Sequence, residues 1–190
     1  MLKLGALFFL LLVQTAPPVQ CQDVGNSHVT VDNVGQVYII DENGEWVKYG
    51  RELNTWQHPK DLLPFDSQYI AIAASNIGTW DRTNPAGILF STDEDVIPRI
   101  VTDSSWKCKA YQDTAEGPRK WPMADGIITH LKDFEKNYAT AWDAAELGKN
   151  WSWIWGSIET IQLGANWIWY AGVGEDRILP PNNVICMKKF

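Results

Sequence analysis

The chain has 190 residues, 45% hydrophobic and 21% charged, ordinary proportions for a globular protein, so bulk disorder is excluded. Its 16 Lys and Arg against 23 Asp and Glu give a formal charge of −7, which excludes the basic face that a phosphate-tracking nucleic-acid binder needs. With 3 Cys and 3 His the chain lacks the ligands for a metal cluster or a dense disulfide scaffold, whereas 11 Trp is a high count.

Met1-Leu2-Lys3 opens with a positive charge, and Leu4 to Val13 is apolar apart from Gly5. That run is shorter than the roughly 20 residues of a membrane span. Val19 and Cys21 stand third and first before a cut preceding Gln22, so residues 1–21 read as a secretory signal peptide and 22–190 as one extracellular domain. A cut after Ala16 is the alternative, disfavoured by Pro17. No later stretch has membrane length, so no membrane span is expected. Removal of Cys21 leaves Cys108 and Cys186. The economical reading is one intramolecular disulfide closing a loop of about 78 residues, worth ~4 kcal/mol on the chain-entropy model. Two free thiols or an intermolecular bridge are the alternatives.

Short strand patterns dominate the first half. His28 to Val31 and Gln36 to Ile40 are β-branched at alternate positions, with a turn at Asp32 to Gly35. Asn43-Gly44 signals a hairpin returning into Glu45 to Lys48. Gln68 to Ala74 is almost continuously apolar, as in a central strand. Ala86 to Ser91 and Ile97 to Thr102 predict two further strands. Gly117-Pro118 and Trp121-Pro122 mark a loop excursion within Asp113 to Asp125. Leu131 to Leu147 contains helix-compatible stretches, such as Thr140 to Leu147, and strands are expected again at Trp151 to Trp155, Ala165 to Tyr170 and Val184 to Phe190.

Trp151, Trp153 and Trp155 alternate, as do Trp167 and Trp169, which in a strand would set the indoles of each group side by side on one face. Core packing is the common use of such rings. A stacking platform for sugar rings is the functional alternative.

The ordered set Val37-Tyr38-Ile39, Gly44-Glu45-Trp46-Val47, Ile70 to Asn76, Ala86-Gly87-Ile88-Leu89, Val101 to Cys108, Trp142 to Ala145, Trp155 to Ile158, Ala165 to Trp169 and Val184 to Phe190 resembles a galactose-binding-domain-like jelly roll. The resemblance spans nearly all of residues 22–190. Such modules accompany glycoside hydrolases, rhamnosidases among them, and stand alone as short secreted invertebrate proteins, some in shell matrix. The resemblance implies an all-β jelly-roll β-sandwich of two antiparallel sheets with one or two short helical turns. It also implies a role in binding or architecture, and it supports pairing Cys108 with Cys186. Fold likeness transfers no ligand.

Nucleophilic catalysis needs a nucleophile beside a base. His28, His58 and His130 stand in unrelated contexts, and no serine occupies a nucleophile elbow. Asp93-Glu94-Asp95 and Glu175-Asp176 are neighbours in sequence, which rarely meets the separation glycoside hydrolysis requires. No enzyme and no cofactor are expected. Asp32, Asn33, Asp93, Glu94, Asp95 and Asp103 are ligand types for a structural calcium, against the plainer reading as turn residues. The best sugar-binding loop is Asn76 to Pro85: Trp80 would stack on a pyranose while Asp81 and Arg82 accept from and donate to hydroxyls, with Asn76 at the loop's start. Asn150-Trp151-Ser152 is the N-glycosylation sequon, at Asn150. The expected partner is a glycan or an extracellular matrix polymer. The two functional expectations are a secreted non-catalytic glycan-binding module and, as the alternative, a structural component of a calcified (biomineralisation) matrix.

Overall fold

A computed structural model of the chain describes residues 22–78, 86–111, 119–151, 155–170 and 182–190. Strand β1 (Gln22–Val24) forms a small ribbon with β6 (Phe65–Ser67). The remaining strands are β2 (Ser27–Asp32), β3 (Val34–Ile40), β4 (Trp46–Leu53), β5 (Lys60–Leu62), β7 (Tyr69–Ser75), β8 (Gly87–Thr92), β9 (Lys107–Tyr111), β10 (Trp142–Lys149), β11 (Asn166–Tyr170) and β12 (Asn183–Lys189). They run in the order β4-β3-β7-β12-β9-β10-β11-β8-β2-β5, with every pairing antiparallel.

The expected all-β sandwich is present, and β10 joins its two layers. Trp142 and Asp143 pair with Cys108 and Lys107 of β9, while Ala144 to Lys149 pair with β11. One layer is therefore β4-β3-β7-β12-β9 and the other β11-β8-β2-β5. The two ends of the order, β4 and β5, face one another across a cleft of about 440 Å³ lined by Tyr49, Arg51, Lys60 and Leu62.

Alternation along β7 shows why its sequence is unbroken in hydrophobicity. Ile70, Ile72 and Ala74 enter the core between the layers with Val29, Val37, Ile88 and Phe90. Tyr69, Ala71 and Ala73 face the opposite way, into a second core beneath the helix α1 (Ile127–Lys136), where Tyr38, Ile185 and Met187 also lie. β3, β7 and β12 are thus covered on both sides, and each large apolar side chain buried there contributes roughly 1.5–3 kcal/mol. A third cluster, Leu89, Trp155, Ile158, Ile161, Ala165 and Trp167, covers the outside of the second layer.

The hairpin between β3 and β4 turns at Asn43-Gly44 as expected. Gly44 takes φ +79°, and the Asp41 carboxylate accepts the N–H groups of Asn43 (3.0 Å) and Glu45 (2.9 Å). Cys108 and Cys186 are bonded to each other and sit directly opposite one another on β9 and β12.

Four expectations need correction. The helix lies at Ile127–Lys136, where Ile127, Leu131 and Phe134 make one buried stripe, while most of the helix-compatible Thr140 to Leu147 is strand β10. Pairing to β9 and β11 decides that segment over its alanine-rich propensity. Ile97 to Thr102 makes only a single bridge, Ser91 to Val101, since the Ile100 and Phe90 N–H groups go to the Thr92 and Thr102 hydroxyls in place of ladder carbonyls. Trp151 and Trp155 lie in turns, with residues 152–154 outside the described ones. Trp167 and Trp169 do not lie side by side: Trp167 joins the outer cluster and Trp169 the inter-layer core, beside a register shift opposite Glu146 and Gly148.

Candidate functional site

Several strand ends converge where Asp32 closes β2, Val34 opens β3, Ser75 closes β7 and Asn183 opens β12. Val34 and Asn183 both pair with Ser75, and Asp32 pairs with Gly87 at the start of β8. The peptide between Asp32 and Asn33 is cis.

The short side chains here bond to one another. Asn33 Nδ2 donates to Asp32 Oδ1 at 2.5 Å, and Asn33 Oδ1 accepts the N–H of Ile77 at 2.6 Å. Ser75 Oγ donates to Asn183 Oδ1 at 2.6 Å, and the Asn76 N–H bonds the Asn182 carbonyl at 2.8 Å. Trp155 Nε1 reaches the other Asp32 oxygen at 3.1 Å. Its ring stacks on Trp167, with centroids 4.4 Å apart and planes 21° from parallel. Gly87 admits that stack: a β-carbon there would lie 2.6 Å from Trp167 Cε3. Burial pushes the Asp32 carboxyl up, opposed by its bonds to Trp155 and Asn33.

Asn76 differs from its neighbours. It is fully buried, yet among the described residues neither its Oδ1 nor its Nδ2 has a hydrogen-bond partner. Among the same residues the buried Trp167 indole nitrogen has none either. An unmet donor and acceptor in one carboxamide is a costly arrangement unless something that both donates and accepts reaches it.

Of the sequence-predicted sugar residues, Asn76 is at this end of the sandwich, and Trp80, Asp81 and Arg82 lie outside the described residues. The acidic candidates disperse. Asp32 and Asn33 belong to the strand-end network, while Asp93 Oδ1 lies 2.8 Å from His28 Nε2 and Asp61 Oδ1 lies 2.9 Å from His28 Nδ1. Glu94 lies 4.0 Å from Arg99, Asp95 is exposed, and Asp103 accepts the N–H of Ser105. Glu175 and Asp176 lie outside the described residues. Among the described residues no group of three His, Cys, Asp or Glu gathers as a metal site. Asn150 is fully buried: its Nδ2 donates to the carbonyls of Ile158 (2.9 Å) and Ile161, and its Oδ1 accepts the Ile158 N–H at 2.9 Å. The sequon asparagine is therefore a structural clamp on the 158–162 turn, not a presented side chain.

Sequence reasoning missed a second feature. Trp142 is 63% exposed and Trp151 62%, whereas Trp106, Trp121, Trp167 and Trp169 are buried. It lines a cleft of about 360 Å³ with Tyr170, Phe134, Asn137, Thr140 and Lys109. Its strand position was readable only once the 140–147 segment was known to be β10. No family model, curated protein or solved structure matches this chain.

Proposed function

We propose that the chain is a secreted, non-catalytic binding module of the galactose-binding-like kind, recognising glycan through loops at the Asn76 end of the sandwich. The observation that carries this reading is the place of Asn76 directly after β7, where several strand ends meet and the stretch toward Pro85 begins. Sugar hydroxyls both donate and accept, so a stretch with an indole beside planar polar side chains suits them. The stretch Asn76 to Pro85, with Trp80, Asp81 and Arg82, starts from this residue. Export is supported by the leader-like residues 1–21 and by the disulfide, which is a mark of oxidising compartments.

A glycan array with wild type, Trp80→Ala and Asn76→Ala tests the reading. Defined selectivity that both substitutions abolish supports it. Binding only to insoluble matrix or mineral, insensitive to free sugars, would replace it with the architectural role, and turnover of any glycoside would end the non-catalytic reading.

A further inference from the structure

We infer that the cleft beside Trp142 is a second binding site, one that takes a neutral pyranose ring. This inference stands apart from the Asn76 end and does not need it.

Trp142 opens β10 at the point where that strand leaves β9 for β11. Its indole is 63% exposed on a strand where only Ala144 is buried, so its large apolar faces are open to a ligand. Tyr170, half-buried, lies opposite Ala144, two residues along the same strand from Trp142. Phe134 from the end of α1 contributes to the apolar lining. The volume, about 360 Å³, sits at the small end of ligand sites and suits one or two sugar units.

Polar groups line the other wall. Asn137 donates through Nδ2 to the Asp133 carbonyl (2.8 Å) and carboxylate (3.1 Å), which fixes the carboxamide and leaves its Oδ1 as an acceptor. Thr140 Oγ1 donates to the Asn137 carbonyl at 3.0 Å and keeps its lone pairs. A face of fixed acceptors beside an exposed indole matches a pyranose, which has apolar C–H faces and hydroxyls around its edge.

Charge decides the class of sugar. Lys109 is paired with Asp133 at 2.5 Å, and Lys107 with Asp143 at 2.5 Å. Lys109, the charged residue among those lining the cleft, is already matched by the Asp133 carboxylate, so a uronate or sulfate would meet as much repulsion as attraction from that pair. A neutral ring has no such conflict.

The test titrates wild type, Trp142→Ala, Trp142→Phe and Asn76→Ala with glucose, galactose, N-acetylglucosamine and glucuronate, following the indole N–H resonances by NMR. The expected result is that a neutral sugar shifts the Trp142 resonance. Trp142→Ala should raise its dissociation constant about tenfold or more, with Trp142→Phe retaining part of the affinity. Asn76→Ala should leave this binding unchanged. The inference is overturned if no neutral sugar moves the Trp142 resonance, if glucuronate binds more tightly than the neutral sugars, or if Trp142→Ala binds as wild type does. Sugar binding lost only in Asn76→Ala would keep the strand-end reading and remove this one. Binding lost only in Trp142→Ala would do the reverse. Should Trp142→Ala lower the thermal midpoint, the wild-type resonance and Trp142→Phe decide the matter without it.

Discussion

The indole N–H of Trp155 donates to the Asp32 carboxylate at 3.1 Å, joining residues 123 positions apart. This bond ties the loop outside the second layer to the end of β2, and it partly offsets the burial that raises Asp32.

A carboxyl raised in the native state binds its proton more tightly there than in the unfolded chain. The cost of the buried charge is therefore fully present above the native value and is relieved as pH falls through it toward the unfolded value. Trp155→Phe removes a donor to that charge, so it should destabilise by about 2 kcal/mol at neutral pH. The gap to wild type should narrow on acidification as Asp32 protonates. Urea unfolding across a pH series checks this, and a gap that is constant or widens in acid contradicts it.

Asn150 holds the turn at 158–162 from inside. Asn150→Ala leaves buried backbone groups without partners, for an expected loss of about 3 kcal/mol by chemical denaturation. Mass spectrometry of the protein expressed in a secreting eukaryotic host should find Asn150 unmodified in the folded fraction. A glycan on that residue in folded protein would contradict its burial.

Gly87 should resist enlargement. Gly87→Ala pushes a methyl against Trp167, with an expected cost of about 1–3 kcal/mol. Adding Trp167→Phe frees space, so the double variant should lose less than the sum of the two single losses. Thermal unfolding of the three variants measures the coupling, and strict additivity would count against the contact.

The link between Cys108 and Cys186 closes a loop of 78 residues. Replacing both by Ala should lower stability by ~4 kcal/mol on the chain-entropy model. Denaturation of wild type with and without reductant should show a difference of the same sign. Equal midpoints would show that the link contributes little.

Much of the strand framework was legible because burial on both faces writes itself as continuous hydrophobicity, as at Tyr69 to Ala74 and Val184 to Met187. The hairpin was legible because Asn43-Gly44 encodes a backbone conformation locally. β10 was not, since Ala144, Ala145 and Leu147 carry helical propensity and only pairing with β9 and β11 overrides it. The helix signal was present a few residues earlier, in the spacing of Ile127, Leu131 and Phe134. At the strand ends, the sequence pointed to Asn76 as a polar loop residue. Its burial is not written locally: its own N–H is held by the Asn182 carbonyl and the next residue's N–H by Asn33, both from distant parts of the chain.

A sandwich whose layers are hinged on β10 behaves like a book, with a bound spine and a fore-edge at β4 and β5 held by side chains such as Tyr49 and not by a ladder. Transient breathing should begin at that fore-edge and fade toward the spine. Amide hydrogens of β7 and β12, held between pages and beneath the helix, would be the last to exchange with solvent, and those of Lys60 to Leu62 among the first.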